Sequence, residues 1–311
     1  MIGHERLVSV VIPVFRDGVR AVQAVHAVLA QTIPDDCTLE ILLVDDASDD
    51  DTLAILESIN IPQVRVLALP ENLGRSGARN RGAEHVRGDF IVFMDCDCLP
   101  ASSHFVAAHL NVLKSASAST GRVTGSGTGF WNHYQRDASR RRERQHAKGI
   151  RYSGSSQNLA VRTTAFHAVG GFDTRYREYG FEDRDLLLRL ARFGTVDWCA
   201  DAEVHHMDAL TLNGVSAKLR SAGRYSSTTF SQNHPDAYRD LGYAAIDVRH
   251  HPCLRPMAAV AAVLTEPFAA SLDHIGALEW LPYPFAMRAA KFICAMSFLA
   301  GTAEHSSASR L

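Results

Sequence analysis

Leu39-Glu40-Ile41-Leu42-Leu43-Val44-Asp45-Asp46-Ala47-Ser48-Asp49-Asp50 is an apolar run that ends in two acids and opens into a polar, helix-starting segment. Leu39–Val44 reads as a strand. Ser48 and the acids Asp49–Asp51 suit the positive end of a helix dipole, so a helix is expected from there to Ile59. The same alternation extends to both sides. Leu7–Val14 is a nearly continuous β-branched run of the kind that burial on both faces produces, and Val19–Gln31 follows with Val22, Val25, His26 and Leu29 at helical spacing. Val64–Leu67 is a third strand stopped by Pro70, Gly74–Val86 a third helix and Asp89–Met94 a fourth strand. Strands interleaved with helices of this length predict an α/β fold with a doubly wound, mostly parallel sheet. Ligands of such sheets sit beyond the carboxyl ends of the strands, where Asp45, Asp46, Asp95 and Asp97 all fall.

The 311 residues, 46% hydrophobic and 21% charged, suffice for a sizeable core in one large domain or two joined ones. With 32 basic against 34 acidic residues, no general nucleic-acid surface is indicated. Six scattered cysteines offer neither a disulfide framework nor paired CxxC units for zinc. Pro13 interrupts the first apolar run and no small-residue cleavage site follows, so a strand is expected there rather than a signal peptide. No stretch reaches the ~18 uncharged apolar residues that span a bilayer, and the expectation is a soluble, cytoplasmic chain. Beyond Pro100 the expected elements are a helix over Ser102–Leu113, a Ser/Gly/Thr-rich stretch over 115–129, a strand at Asn158–Arg162, a turn at Gly170–Gly171 and a helix over Glu182–Phe193. After about Val215 the chain reads as helical, with breaks at Pro235, Pro252, Pro256, Pro267, Pro282 and Pro284. The expected organisation is a nucleotide-sugar-binding half over 1–100, an acceptor and catalytic half over 101–214, and a helical extension over 215–311.

Asp95-Cys96-Asp97 follows the apolar strand Phe90–Met94. Residues i and i+2 of an extended chain project to one side, so both carboxylates can face one point. Hard oxygen ligands there suit Mg²⁺ or Mn²⁺. Taken alone, Asp-x-Asp is better explained by a solvated turn. Its company is more specific. Val10-Val11-Ile12-Pro13-Val14-Phe15, the Asp45-Asp46 segment, Asn72-Leu73-Gly74-Arg75-Ser76-Gly77-Ala78-Arg79-Asn80-Arg81-Gly82, Asp95-Cys96-Asp97, Gly170-Gly171-Phe172-Asp173 and Tyr179-Gly180-Phe181-Glu182-Asp183-Arg184-Asp185 follow one another in this order. The succession, over roughly residues 7 to 207, resembles the nucleotide-sugar-dependent glycosyltransferases of family 2, which have the glycosyltransferase A-type fold.

The resemblance implies a metal-dependent, inverting transfer from a nucleoside-diphosphate sugar to an acceptor hydroxyl, with Mn²⁺ or Mg²⁺ as cofactor. It implies that Pro13, Val14 and Phe15 line the base pocket, that Asp46 bonds the nucleobase or ribose, and that Arg75 and Arg79 approach the nucleotide or pyrophosphate. Asp95 and Asp97 match the motif that holds ribose and metal-bound diphosphate. Asp183 matches the general base, and Glu182 the residue that places the acceptor. A histidine after the next strand completes the metal site in related enzymes; His206 fits first and His205 second. Read from position alone, Asp183 is equally a helix-capping acid, and Asp185 forms a surface ion pair with Arg189 four residues on. Cys96 and Cys98 read as thiols rather than ligands for a hard metal.

Trp131 and Tyr134, beside an arginine-rich run, are candidates for stacking on an acceptor sugar, with a solvated basic helix as the alternative. A saccharide, a lipid-linked group, a peptide and a small metabolite are all open as acceptors. For the C-terminal helices core packing or a homodimer contact is the first reading, and peripheral membrane contact the second, because Arg288 and Lys291 flank the apolar run Phe292–Ala300. Two other function classes stay open: a nucleotidyltransferase acting on sugar phosphates, and a catalytically silent carbohydrate-binding or scaffold protein.

Overall fold

The computed structural model describes residues 6–308. Eight strands form one sheet among the described residues: β1 (Arg6–Val14), β2 (Cys37–Asp45), β3 (Val64–Ala68), β4 (Phe90–Met94), β5 (Cys98–Pro100), β6 (Ala118–Gly125), β7 (Asn158–Arg162) and β8 (Val196–His206). Their order is β3-β2-β1-β4-β7-β6-β8-β5. The four strands expected from the N-terminal alternation are β1 to β4, all paired in parallel. β7 then enters antiparallel to both β4 and β6, β8 runs parallel to β6, and the short β5 pairs antiparallel with β8. β6 lies in the stretch that carried no strand signal. Its Ser119 and Thr120 are fully buried, so ladder pairing rather than apolar side chains holds it in place.

Alternate residues of the central strands feed opposite cores, as expected of strands covered on both faces. Val8, Val10, Ile12 and Val14 join Ile41, Leu43, Val92 and Met94 on one face. Val11 joins Leu42, Val44, Ile91 and Phe93 on the other. The first face is covered by helix Gly18–Leu29, through Ala21, Ala24, Val25 and Val28, and by helix Phe105–Val112. The second is covered by helices Gly74–His85, Thr163–Ala168 and Glu182–Phe193. Each such side chain contributes about 1.5–3 kcal/mol on burial, so these two cores outweigh every polar contact described below.

A buried polar node fixes the C-terminal half of the sheet. Asn158 donates from Nδ2 to the carbonyls of Arg122 (2.7 Å) and Ala202 (2.9 Å), and its Oδ1 lies 2.7 Å from His109 Nε2. His109 Nδ1 lies 2.8 Å from Ser119 Oγ. The β6–β8 register shifts between Gly121 and Arg122, where a Cβ on Gly121 would stand 2.0 Å from the Ala202 carbonyl. Only glycine admits that approach. Burial pushes the His109 imidazole down to about 4, against the smaller effect of the Asn158 bond.

The chain divides into two compact units, the second comprising 127–134, 175–182 and 209–311 and the first the remainder. In the second unit, helix Leu212–Arg224 packs on the helix Tyr283–Ala308, and a Cβ on Gly223 would meet the Phe298 carbonyl at 2.3 Å. Phe181 stacks on Phe230 with centroids 4.8 Å apart, and a fully buried Asp247 pairs with Arg249 at 2.5 Å. Two expectations need correction. Pro267 lies inside the continuous helix Arg255–His274, while Pro235, Pro256 and Pro284 sit in first turns, where proline starts helices rather than breaking them. Consequently Pro252–His274 and Tyr283–Glu304 are each long and apolar enough to cross a membrane by length and composition, with mean hydropathy 1.2. A count that stopped at every charge and proline ended too early.

Stability is expected to fall as pH drops from about 6.5 toward about 4. Buried His109 and His146 both titrate near 4 when folded, below their unfolded value of 6.5, so the unfolded chain takes up protons that the folded chain refuses. The contribution is complete above the unfolded value and lost on the way down, amounting to about 3 kcal/mol for His109 alone. Urea midpoints at pH 7 and pH 4.5 should therefore differ less in His109→Gln than in the parent.

Candidate active site

The acids converge where β4 ends. Asp95 follows Met94 directly and is buried; its Oδ1 accepts from Arg79 Nη2 at 2.5 Å. Arg79 is 1% exposed, and its guanidinium also stands 5.4 Å from the Phe172 ring centre. Burial opposes the charge on Asp95, but Arg79, with Arg75 and His206 behind it, holds the carboxyl below the usual carboxylate range. Arg75 and Arg79 share one helix yet part company: Arg79 is sealed against Asp95 while Arg75 is exposed.

Asp97 is placed by backbone pairing. The Cys98 N–H donates to the Asp95 carbonyl at 3.0 Å, the Met207 N–H donates to the Asp97 carbonyl at 2.8 Å, and Cys98 pairs with His206 across β5 and β8. His206 Nε2 thereby lies 3.3 Å from Asp97 Oδ2, and Gln135 Nε2 lies 3.3 Å from its Nδ1. Burial disfavours the imidazolium, but the Asp97 carboxylate outweighs it and raises the His206 pKa above 6.5. Asp208 completes the group: one ligand atom from each of Asp97, His206 and Asp208 falls within 4.8 Å of the others. Asp208 was missed in the sequence, although its spacing of two from His206 puts both on one side of an extended chain. Arg20, which carried no sequence signal, forms ion pairs with Asp208 and, at 3.3 Å, with Asp17. His205 faces elsewhere, 3.0 Å from Thr124 Oγ1 and 4.0 Å from Glu203. Two carboxylates and an imidazole are a donor set that fits Mn²⁺ or Mg²⁺, the imidazole favouring Mn²⁺. Cys98 is buried and its thiol is pushed well up, so it stays protonated; burial raises Cys96 in the same way.

At the ends of β1 and β2, Pro13 and Val14 are buried and Phe15 is exposed, with the Arg16 guanidinium 5.0 Å from its ring centre. Arg16 and Ala47 both adopt left-handed backbone (φ 54° and 57°), a conformation that side chains resist. Asp46 is buried, and its Oδ1 accepts from the Leu73 N–H at 2.7 Å, tying β2 to the start of helix Gly74–His85. Burial raises its carboxyl above the usual range. Asp45 accepts from the Ser48 N–H at 3.3 Å, whereas its Oδ1 is buried without a hydrogen-bond partner.

Asp183 stands in the first turn of helix Glu182–Phe193, after Phe181, whose φ is 71°. Ser156 Oγ donates to Asp183 Oδ1 at 2.5 Å. Ser156 precedes Asn158, the rung of β7 opposite Met94, so Asp183 is tied to the sheet end that carries Asp95. Glu182 is buried. The expected surface pair of Asp185 and Arg189 is instead half-buried: Asp185 is 2% exposed, the pair measures 2.6 Å, and Arg189 also donates to the Val169 and Gly171 carbonyls at 2.7 Å each. Sequence spacing revealed the partner but not the turn packed against it. The rings of Trp131 and Tyr134 pack edge-on at 5.3 Å in the apolar cluster of the second unit with Phe130 and Tyr283.

The Glycosyl transferase family 2 model matches residues 9–176. Over 90 residues the chain is 38% identical to the succinoglycan biosynthesis protein ExoO of Rhizobium meliloti (strain 1021), covering 29% of this chain and 25% of that protein. Over 95 residues it is 35% identical to the glycosyltransferase AglE of Haloferax volcanii, covering 30% and 31%. The chain thus matches only a quarter to a third of these relatives' lengths. Among solved structures it resembles the mannosyltransferase PcManGT from Pyrobaculum calidifontis in complex with GDP-Man and Mn²⁺, with TM-score 0.62, 20% identity and coverage of 96% of this chain and 86% of that one. It also resembles GalNAc-T7 with UDP, GalNAc and Mn²⁺, with TM-score 0.54, 19% identity and coverage of 70% and 48%.

Truncating one member of a buried ion pair strands the other. Arg79→Ala is expected to cost about 3–5 kcal/mol in urea denaturation, and adding Asp95→Ala should recover part of that loss.

Proposed function

The chain belongs to glycosyl transferase family 2 and has the A-type fold with a helical C-terminal extension, and from that premise we propose that it moves a sugar from a nucleoside-diphosphate sugar to an acceptor hydroxyl with inversion. The observation that best supports this reading is the convergence of Asp97, His206 and Asp208 at the sheet end to which Ser156 ties Asp183.

Asp97, His206 and Asp208 would hold the divalent ion, Mn²⁺ by preference. A bound ion supplies Lewis-acid stabilisation of the charge that develops on a departing diphosphate. Arg75, exposed beside the Asp95–Arg79 pair, adds a cation for the diphosphate. Phe15, exposed after the buried Pro13 and Val14, would offer an apolar face to the base. Asp45 Oδ1, buried without a donor, and Asp46 are acceptors for a nucleobase N–H or ribose hydroxyl. Ser156 engages one oxygen of Asp183 and leaves Oδ2, which makes no hydrogen bond among the described residues, to take the proton of the attacking hydroxyl. General-base help of this kind contributes about 10²–10⁴-fold. Glu182, the residue before Asp183, would place the acceptor, a saccharide, lipid-linked or small-metabolite alcohol. The donor class agrees with the GDP-Man and UDP of the two structural neighbours. All six cysteines are free, which suits a reducing compartment, and we place the enzyme in the cytoplasm.

Asp183→Asn should lower kcat by about 10²–10⁴-fold while Mn²⁺ affinity and donor KM stay near the parent values. In calorimetric titration with Mn²⁺, Asp97→Asn and Asp208→Asn should each weaken binding by at least about 10-fold, whereas His205→Ala should not. Proton NMR of the first-formed product should show the inverted anomer; a retained one would exclude single displacement.

A further inference from the structure

The hairpin formed by helices Arg255–His274 and Tyr283–Ala308 wears its apolar side outward. The buried positions of the first helix are the small residues Ala258, Ala261, Thr265 and Ala269. Its large residues Met257, Val260, Val263, Leu264 and Phe268 are 43–69% exposed. Ala258 shares a buried cluster with Leu299, and Ala269 one with Ala286 and Ala290, so the two helices run antiparallel. Phe285 and Phe292 of the second helix and Trp280 at the bend are 59–66% exposed. An ordinary surface helix has the opposite order, and a run of large exposed apolar residues this long marks a contact surface.

The charges on the hairpin are sorted as well. Asp273 accepts from the Leu212 and Asn213 N–H groups at 2.8 Å each, and Glu279 accepts from the Phe130 N–H at 3.1 Å. Glu266 stands 4.0 Å from Arg220. Asp273 and Glu279 are thus engaged by backbone N–H groups within the protein, whereas Glu266 stays largely exposed. Arg255, Arg288 and Lys291 are exposed and form no ion pair among the described residues. Apart from Glu266 and Glu279, what the hairpin shows to solvent is apolar and cationic. More than half of the Tyr283–Glu304 window, though only 22% of Pro252–His274, is buried inside the protein, so the second helix of the hairpin is already packed along one side. The hairpin suits a surface to lie on better than a bilayer to cross.

We infer that this hairpin seats the enzyme on an anionic phospholipid bilayer. Phe268, Trp280, Phe285 and Phe292 enter the boundary between headgroups and acyl chains, and Arg288 and Lys291 meet the lipid phosphates. The Trp280 indole N–H is satisfied by the Ile275 carbonyl at 3.3 Å, so the ring enters without an unpaired donor. The inference rests on the second unit alone and is independent of the transferase reading.

The test is co-sedimentation of the full chain with vesicles of phosphatidylcholine, with and without phosphatidylglycerol. The parent should bind the anionic vesicles at least about 10-fold more tightly, and less so as salt rises. Phe268→Asp with Phe292→Asp should abolish binding while the melting temperature and donor turnover in solution are kept. Arg288→Glu with Lys291→Glu should weaken binding to anionic vesicles by about 10-fold or more. No binding by the parent, or unchanged binding by the Phe268/Phe292 variant, would overturn the inference. So would a dimer in sedimentation velocity that the same variant dissociates, because a second copy would then cover this face.

Discussion

The buried ion pair between Arg79 and Asp95 is the constraint around which the first unit is arranged. A guanidinium sealed from water costs several kcal/mol unless its charge and donors are answered, and here Asp95 and the face of Phe172 answer it. Phe172 is held in turn by Asn80, whose side chain bonds both the N–H and the carbonyl of that residue at 2.8 Å. The Gly170–Gly171 turn before it is gripped by Arg189, itself anchored to buried Asp185. A line of charge and hydrogen bonding thus runs from helix Glu182–Phe193, through the glycine turn and helix Gly74–His85, to the end of β4. Each part is tolerable in the interior only because the next is in place.

That commitment divides the labour of the acids. With Asp95 engaged by Arg79, the acids grouped with His206 are Asp97 and Asp208, the latter also held by Arg20. The β5–β8 pairing and the Met207-to-Asp97 backbone bond bring them together. Around them the chain leaves β1 and β2 through non-glycine residues in the left-handed region, Arg16 and Ala47. Such residues cost of order 1–3 kcal/mol each and persist where surrounding structure over-determines them. Their grouping at the turns that carry the candidate site is the pattern expected when geometry at a site is bought with stability from the two apolar cores.

The second unit follows a different economy of surface. Its interior is filled by aromatic stacking around Phe181, Phe230, Tyr238 and Phe298 and by the buried Asp247–Arg249 pair. The hairpin of its last long helices meets that interior with alanines. Small inward residues let helices approach closely and leave the larger apolar side chains outside, which is why one hairpin can be well packed and strongly apolar toward solvent at once.

The sequence by itself determined the alternating strands and helices of the first hundred residues, because an unbroken apolar run such as Ile41–Val44 or Ile91–Met94 carries its two-sided burial in its own composition. It also determined that Asp45, Asp46, Asp95 and Asp97 follow strand ends, since that order is local. Only the tertiary structure decided what is non-local. Ser119 and Thr120 became strand through pairing, Asp208 joined Asp97 and His206 across β5 and β8, and strand alternation turned His206 to the acids and His205 away. Arg79 and Asp185 were buried by partners distant in the chain, and Pro267 continued a helix that its own chemistry disfavours. Hydrophobic periodicity is written along a single segment; the partner of a charge and the face of a helix left uncovered depend on segments that meet only when the chain has folded.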